Sequence, residues 1–235
     1  MAESKPKLGY WHIRGLAAQI RYMLHYAKVD FEDVTYEMGP APEWSKACWF
    51  DVKPNMGLDF PNLPYFFDGE LNLTETAAIM KYIAHKWAPE LLGKSSAEYA
   101  RAEMMQEHCG QVKRAITMPA YTGGDDITCK AIFEGARPHL DKVVAFMAKY
   151  QHAWVAGNNL TWLDFAFWEM VDYMCWLAGK EAFFEAYPSL KAYHERFLAL
   201  PAIAAVWSDD KKCQKYPFNN AMAKIGGRDS KIMPQ

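Results

Sequence analysis

The sequence predicts a small α/β domain followed by an all-helical domain. Between residues 7 and 85, short strand-like segments alternate with segments whose apolar residues recur at helical spacing. Residues 88–96, which include proline, glycine and two serines, have the composition of a linker. Beyond them the helical spacing continues without a convincing strand. This change of character near residue 90 predicts two domains, with the sheet confined to the first.

Seven short elements make up the predicted first domain. In the strand segments, apolar and polar residues alternate, or a few apolar residues follow one another. In the helical segments, apolar residues recur every three or four positions. A turn signal, Asp68-Gly69, joins the last two strands. This order suits one sheet covered by helices. The predicted order β-α-β-α-β-β-α covers residues 7–11, 16–27, 31–36, 43–50, 65–67, 71–73 and 75–87.

The residues after the linker predict helices. Thr161 and Asp164 form a capping-box signature ahead of apolar residues at helical spacing, with aspartate where Glu or Gln is usual. We expect Pro119 to bend the first helix and Pro138 to interrupt the second. The tail from Pro217 is rich in Asn, Lys and Gly, and we expect it to be partly mobile. The other helices are predicted over residues 97–120, 129–150, 181–187 and 190–207.

Composition and charge exclude several classes of protein. The 235 residues carry a net charge of −2, so the chain lacks the basic footprint of a nucleic-acid-binding protein. Apolar residues (51%) and charged residues (23%) are typical of a globular protein. An apolar run of about 18 residues, the length that spans a membrane, is absent from the sequence. We therefore expect neither nucleic acid nor a membrane as a partner.

The cysteine pattern favours a reducing compartment. The sequence has five cysteines, an odd number, and no two of them form a CxxC pair, so a disulfide framework is not expected. His108 and Cys109 are adjacent, and helix neighbours one apart do not face each other, so no metal site is expected. No charged-then-apolar leader precedes the first strand. A cytoplasmic location fits best.

Three separated pieces of sequence suit one binding site. Tyr10 lies at the end of the first predicted strand, and Asn62-Leu63-Pro64 forms a turn that presents backbone edges. Thr76 opens a helix whose N-terminus can hold an anion. Together these pieces suit an anionic, peptide-like thiol ligand with a hydroxyl donor near its sulfur.

Four blocks of sequence carry a resemblance to a known family. They cover residues 8–16, 38–42, 57–65 and 157–164, in the family's order and at its spacings. The chain resembles the cytosolic glutathione S-transferases, and within them the mu class, from about Lys7 to Trp207. The third block looks like the family's cis-proline turn, and the fourth like its capping box in the helical domain.

The resemblance implies a fold and an activity. It implies a thioredoxin-like glutathione-binding domain over residues 1–88, a linker over 89–96 and an all-α domain over 97–235 that carries the electrophile site. It implies a homodimeric enzyme that joins the glutathione thiolate to small hydrophobic electrophiles. Glutathione is then a co-substrate, and no other cofactor is expected. Phe60 matches the mu-class residue that inserts between helices of the partner subunit.

The resemblance also assigns the glutathione site. The helix opening at Thr76 offers free N–H groups to the γ-glutamyl carboxylate. Lys46 stands where the class often has arginine, Glu75 where it has glutamine, and Gln111 where an aspartate reaches across the dimer. Each of these three substitutions changes the charge or the geometry of a ligand contact. The implied glutathione site comprises Tyr10, Trp11, Leu16, Lys46, Trp49, Lys53, Asn62, Leu63, Pro64, Glu75, Thr76 and Gln111.

Tyr10 is the catalytic residue that the resemblance implies. A free thiol titrates at about 8.5, and a hydrogen bond to the thiolate lowers that value. Tyr121 matches a second tyrosine that faces the electrophile, whereas Arg114 stands where the class has an apolar residue. The residues after Trp207, which normally help to roof the pocket, diverge. The implied electrophile pocket comprises Trp11, Ile13, Leu16, Arg114 and Tyr121.

Other interpretations stay open from the sequence. Tyr10 could be a buried tyrosine with a satisfied hydroxyl, and His12 fits a structural or pocket-rim residue better than a base. The same fold could serve a non-catalytic protein that binds glutathione or apolar ligands, or a glutathione-dependent isomerase. A thiol-disulfide oxidoreductase is disfavoured, because it needs a cysteine near the first helix, where this chain has Tyr10.

Overall fold

A four-stranded mixed sheet organises the first part of the chain. The computed structural model describes residues 5–209, 216–218, 223–227 and 230. The strands are β1 (Lys7–Trp11), β2 (Glu32–Tyr36), β3 (Tyr65–Asp68) and β4 (Leu71–Thr74), in the order β2-β1-β3-β4. β1 pairs with β2 in parallel, and the other two pairings are antiparallel. The sheet of the predicted first domain is therefore confirmed.

Three α-helices accompany the sheet among the described residues: α1 (Ala18–Tyr26), α2 (Ala47–Phe50) and α3 (Thr76–Trp87). The helix predicted over 43–50 is shorter than expected. Trp44 has a φ of 47°, in the left-handed region, so a right-handed helix cannot run through it. A short 3-10 helix at Lys53–Asn55 follows α2.

The second part of the described chain is helical, as predicted. The structure corrects two details of the prediction. Pro138 lies inside a continuous helix, where burial of the neighbouring Ala136 and Leu140 outweighs the one backbone hydrogen bond that proline removes. The segment predicted over 190–207 is two helices, because the second begins at Pro201, a favoured first helical position. The helices are α4 (Ser96–Thr122), α5 (Cys129–Lys149), α6 (Trp162–Ala178), α7 (Lys180–Ala186), α8 (Pro188–Leu198) and α9 (Pro201–Trp207).

The predicted linker and the C-terminal tail are described to different extents. The segment predicted as a linker contains a 3-10 helix, Pro89–Leu92, whose Leu91 is fully buried. Most of the tail for which the sequence predicts mobility lies outside the described residues. Its described parts are 217–218, 223–227 and 230.

The capping box at the start of α6 is a buried polar network. The Asp164 carboxylate accepts hydrogen bonds from the backbone N–H groups of Val155 and Thr161, and from the hydroxyls of Thr161 and Tyr193, at 2.8–3.1 Å. Burial raises the pKa of Asp164 to about 6, although these donors act in the opposite direction. The network ties the preceding loop and α8 to the central helix.

We expect Asp164→Ala to destabilise the helical domain. The change removes the cap and leaves buried donors without an acceptor, which costs about 2–4 kcal/mol of unfolding free energy. The melting temperature, followed by circular dichroism, should fall by about 5–15 °C. Glu185→Ala, at an exposed position of α7, is the matched control. Equal melting temperatures for the two variants would contradict the structural role given to Asp164.

Candidate functional site

One edge of the sheet gathers the three separated pieces of sequence. Gly9 pairs with Tyr65 across the antiparallel β1–β3 ladder, and Tyr65 pairs with Thr74 across β3–β4. The end of β1, the start of β3 and the end of β4 therefore lie at the same edge. This register places Tyr10, Pro64 and the residues that open α3 beside one another, although more than fifty residues of sequence separate the first from the others.

Tyr10 is held in one place by the loop that follows β1. Its side chain is 7% exposed, and its hydroxyl is hydrogen-bonded to the backbone of Leu16. Burial raises the pKa of Tyr10 to about 12, with a smaller contribution from Tyr121 in the same direction. The hydroxyl is therefore protonated at neutral pH and can donate a hydrogen bond. Gly15 has a φ of +44°, and a Cβ there would lie 2.7 Å from the Tyr10 ring.

The opposite side of the site is formed by the turn before β3 and the start of α3. The Leu63–Pro64 peptide bond is cis, as the family resemblance implied, and Leu63 is buried while Asn62 is exposed. Glu75, which precedes α3, has φ 71° and ψ 113°, a conformation that non-glycine residues rarely adopt. Its exposed side chain makes no capping bond, so the first N–H groups of α3, from Thr76 on, are open to an anion.

Three further candidates flank this edge. Lys46 directly precedes α2, and Trp49, within α2, is 3% exposed and stacks on Tyr65 with a ring-centroid distance of 6.0 Å. The Lys53 ammonium lies 5.5 Å from the centroid of the Phe50 ring. Trp49 thus packs against the end of the sheet, and the two lysines place positive charge near it.

A cavity of about 430 Å³ opens beside Tyr10, between the two domains. It brings together four of the predicted residues, Tyr10, Leu16, Arg114 and Tyr121. Most of its wall comes from one face of α4, where the lining residues follow the i, i+3, i+4, i+7 spacing of a helix. The lining residues are Tyr10, Gly15, Leu16, Gly110, Lys113, Arg114, Thr117, Met118, Tyr121, Tyr173 and Phe218.

Four predicted residues lie elsewhere. Trp11 packs edge-on against Tyr36, and Ile13 is buried. Neither is among the described residues that line the cavity. The side-chain oxygen of Gln111 lies 3.2 Å from Nδ1 of His139, on the exposed surface. Phe60 is 78% exposed on its turn. The roles given to these residues stay predictions.

A buried ion-pair network fixes the position of the loop after β1. Arg14 donates two hydrogen bonds to Glu169 at 2.8 Å and one to Asp172 at 2.7 Å, both on α6. Burial alone would lower the pKa of Arg14, but the two carboxylates hold it well above its usual value. The guanidinium also lies 4.9 Å from the centroid of the Tyr173 ring, on the cavity wall. The first domain is thereby joined to the second beneath the cavity.

The loop after β1 also contacts the C-terminal segment. The backbone N–H groups of Arg14 and Gly15 donate to the carbonyls of Tyr216 and Pro217, at 3.0 and 3.1 Å. Phe218 then packs edge-on against Tyr121, with ring centroids 5.8 Å apart. His12, for which the sequence favours a structural or pocket-rim role, bonds through Nδ1 to the Glu37 carboxylate.

Two other kinds of feature are absent from the described residues. No group of three or more His, Cys, Asp or Glu side chains within the described ranges could hold a metal ion. The helices of the described residues include none that is long and apolar enough to cross a membrane.

Comparison with known proteins identifies the family. The family model for the N-terminal domain of glutathione S-transferases matches residues 6–85, and that for the C-terminal domain matches residues 127–209. Glutathione S-transferase Mu 5 of Rattus norvegicus is 35% identical over 221 residues, which are 94% of this chain and 95% of that protein. The chain belongs to the glutathione S-transferase family.

Other relatives agree with this assignment. The chain is 34% identical to Glutathione S-transferase Mu 3 of Homo sapiens over 226 residues, covering 96% of this chain and 97% of that protein. Among solved structures, the glutathione S-transferase Blo t 8 matches with a TM-score of 0.81 and 28% identity, covering 94% of this chain and 99% of that one. The mu-class resemblance and the predicted fold are confirmed.

Several residues of the cavity wall were not predicted from the sequence. Gly110, Lys113, Thr117 and Met118 share the helical stripe with Arg114, and the stripe could have indicated them once one member was known. By contrast, the lining residues Tyr173 and Phe218 come from distant parts of the chain, and no local pattern points to them.

We expect Gly15→Ala to destabilise the protein more than Gly69→Ala does. Both glycines have positive φ, so both changes carry the left-handed penalty of about 1–2 kcal/mol. Only at Gly15 would the new Cβ also collide with Tyr10, because the space at Gly69 is open within 4 Å. The collision adds about 1–3 kcal/mol. Urea unfolding measures the free energy of unfolding of each variant. Equal losses of unfolding free energy would mean that the Tyr10 ring can move away from the new Cβ without cost.

Proposed function

We propose that this protein is an enzyme that joins the glutathione thiolate to small hydrophobic electrophiles. The observation that carries the proposal is the position of Tyr10. Its buried hydroxyl lies on the wall of the cavity and at the sheet edge shared by Pro64 and the start of α3. A donor between a peptide-like binding edge and a cavity is the arrangement that a thiol transferase needs.

The sheet edge suits glutathione group by group. The open N–H groups at Thr76 suit the γ-glutamyl carboxylate, and the backbone of Leu63 suits the cysteinyl amide as one strand edge suits another. Glu75 supplies a negative charge for the ammonium of the ligand. Lys46 and Lys53, with Trp49 between them in sequence, suit the glycyl carboxylate. Gln111 of the second subunit is the proposed neutral substitute for a charged contact to the ammonium.

The chemistry follows from the protonated state of Tyr10. Its O–H donates to the sulfur and stabilises the thiolate over the thiol. The thiolate attacks an electrophilic carbon in the cavity, so that a C–S bond forms. A leaving group departs with its bonding electrons, or an activated double bond takes up the electrons and then a proton. The Tyr121 side chain, on the same cavity wall, is the proposed donor to the electrophile.

The proposal extends to organisation and location. We propose domain limits of 1–88 and 97–235 with a linker over 89–96, a homodimer, and a cytoplasmic location. The exposed Phe60 supports the dimer, because a large apolar side chain on a loop gains about 1.5–3 kcal/mol when a partner buries it.

We propose no cofactor besides glutathione as co-substrate. The electrophiles are small molecules, and we propose neither nucleic acid nor membrane as a partner.

We expect Tyr10→Phe to lower kcat by about 100- to 1,000-fold with an aryl halide as electrophile, since a donor to an anion is lost. The loss should fall on the catalytic step, because other residues hold the rest of glutathione. The ultraviolet thiolate band of bound glutathione should titrate at higher pH in the variant. Tyr150→Phe, which removes an exposed hydroxyl, is the control. Turnover and a thiolate titration both like the wild type would remove Tyr10 from the mechanism.

We expect Phe60→Glu to give monomers, because a charge cannot be buried in an apolar pocket of the partner without a large cost. Light scattering at micromolar protein measures the mass. Phe50→Glu is the matched control, since Phe50 is also an exposed phenylalanine, at 53%. If Phe60→Glu stays dimeric, or if both variants dissociate, Phe60 is not the specific contact.

A further inference from the structure

Two adjacent cations line the cavity that the proposed function assigns to a hydrophobic electrophile. Lys113 is half-buried and Arg114 is exposed, and both belong to the lining stripe of α4. The lining residues of the described chain include three tyrosines but no carboxylate. The cavity therefore combines apolar walls with an uncompensated positive charge.

Neither cation is neutralised within the part of the chain that the structure describes. Other cations are paired, as Lys81 is with Glu103 at 2.6 Å, but neither Lys113 nor Arg114 forms an ion pair with a described residue. The carboxylate whose field reaches Lys113 is Glu169. Glu169 already accepts two hydrogen bonds from Arg14 and one from Tyr173, so the charge of its carboxylate is largely balanced by Arg14 and not by Lys113.

Burial makes this arrangement costly without a ligand. It lowers the pKa of Lys113 to about 8, although Glu169 acts in the opposite direction. The Lys113 side chain is therefore still mostly protonated at neutral pH, although its surroundings favour the neutral amine. An anion in the cavity would offset that cost, and the planar guanidinium of Arg114 can bind a carboxylate with two hydrogen bonds.

The cavity also has room for an additional group. Gly110 precedes Lys113 by one helical turn, and a Cβ at Gly110 would have no neighbour within 4 Å. The wall is therefore recessed one turn from the two cations. A substituent on an electrophile could occupy this recess while its reactive carbon faces Tyr10.

We propose that Lys113 and Arg114 select electrophiles that carry a carboxylate. The inference rests on the proposed function and narrows its substrate class, from apolar electrophiles in general to apolar electrophiles with one acidic group. The carboxylates of glutathione do not compete for these cations, because their proposed positions are at the sheet edge, near Thr76, Lys46 and Lys53.

The test compares 4-chloro-3,5-dinitrobenzoic acid with its primary amide. Each kcat/KM is divided by the uncatalysed rate constant with glutathione, so that intrinsic reactivity cancels. The wild-type protein should prefer the acid. Lys113→Met and Arg114→Met should each lower the acid-to-amide ratio by about 10-fold, the effect of a charge-assisted hydrogen bond at a partly exposed site. Lys113→Arg and Arg114→Lys should retain most of it. Lys142→Met, at an exposed position of α5, should leave it unchanged.

The pH dependence gives a readout that a structural role would not move. As pH rises through about 8, Lys113 loses its proton, and the wild-type ratio should fall. In Lys113→Arg the ratio should stay level over the same range. Glu169, the three cavity tyrosines, the thiolate and Arg114 are the other titratable or charged groups near Lys113. Glu169, the tyrosines and the thiolate act equally on the acid and on the amide. Their effects therefore cancel in the acid-to-amide ratio. The three tyrosines are Tyr10, Tyr121 and Tyr173.

The outcomes separate the two proposals. If the wild type turns over neither compound, the proposed conjugation fails, and the selectivity inference falls with it. If it turns over the amide well but the ratio is the same in all variants, only the selectivity inference is wrong. If the methionine variants lower both rates equally, the cations act on the thiolate, and the inference is again wrong. Should Lys113→Met fail to fold, the exposed Arg114→Met still decides.

Discussion

The Arg14 ion pair is the constraint on which the candidate site depends. Arg14 leaves the loop after β1 and reaches Glu169 and Asp172 on α6, with donor–acceptor distances of 2.7–2.8 Å. Because all three groups are largely buried, removing one partner would leave an uncompensated charge in the interior. The pairing therefore fixes the relation of the sheet to the helical domain. The cavity lies in the angle between them, so its shape is set by this contact.

The geometry of Tyr10 follows from the same loop. Gly15, next to Arg14, turns the chain with a positive φ and lies against the Tyr10 ring. The backbone of Leu16 then bonds the Tyr10 hydroxyl, and Pro217 accepts from the Gly15 N–H. The proposed catalytic hydroxyl is thus positioned by backbone groups whose own place is held from the other domain. Arg14 and Gly15, which follow Tyr10 by only a few residues, therefore hold its side chain in place.

Burial tunes two groups of the cavity in opposite senses. Burial raises the pKa of Tyr10 to about 12, so its hydroxyl stays protonated, and lowers the pKa of Lys113 to about 8, so its side chain loses a proton more easily. Both shifts arise because burial penalises the charged form of each group. A neutral donor beside a cation without a described ion-pair partner is a setting suited to a reacting anion and to an anionic substituent.

Local signals in the sequence determined the architecture and indicated three pieces of the sheet edge, Tyr10, Asn62-Leu63-Pro64 and Thr76. The other sheet-edge candidates came from the family resemblance. Strand and helix periods, the Asn62-Leu63-Pro64 turn and the capping box at Thr161 and Asp164 are readable over a few residues. Gly15, by contrast, gave no local signal of its contact with Tyr10. The helix interruption expected at Pro138 is absent, because packing of the neighbouring side chains overrides the low helix propensity of proline. The wall of the cavity was decided only by the tertiary structure, since Lys113, Tyr173 and Phe218 meet there through domain contacts that no short window of sequence contains.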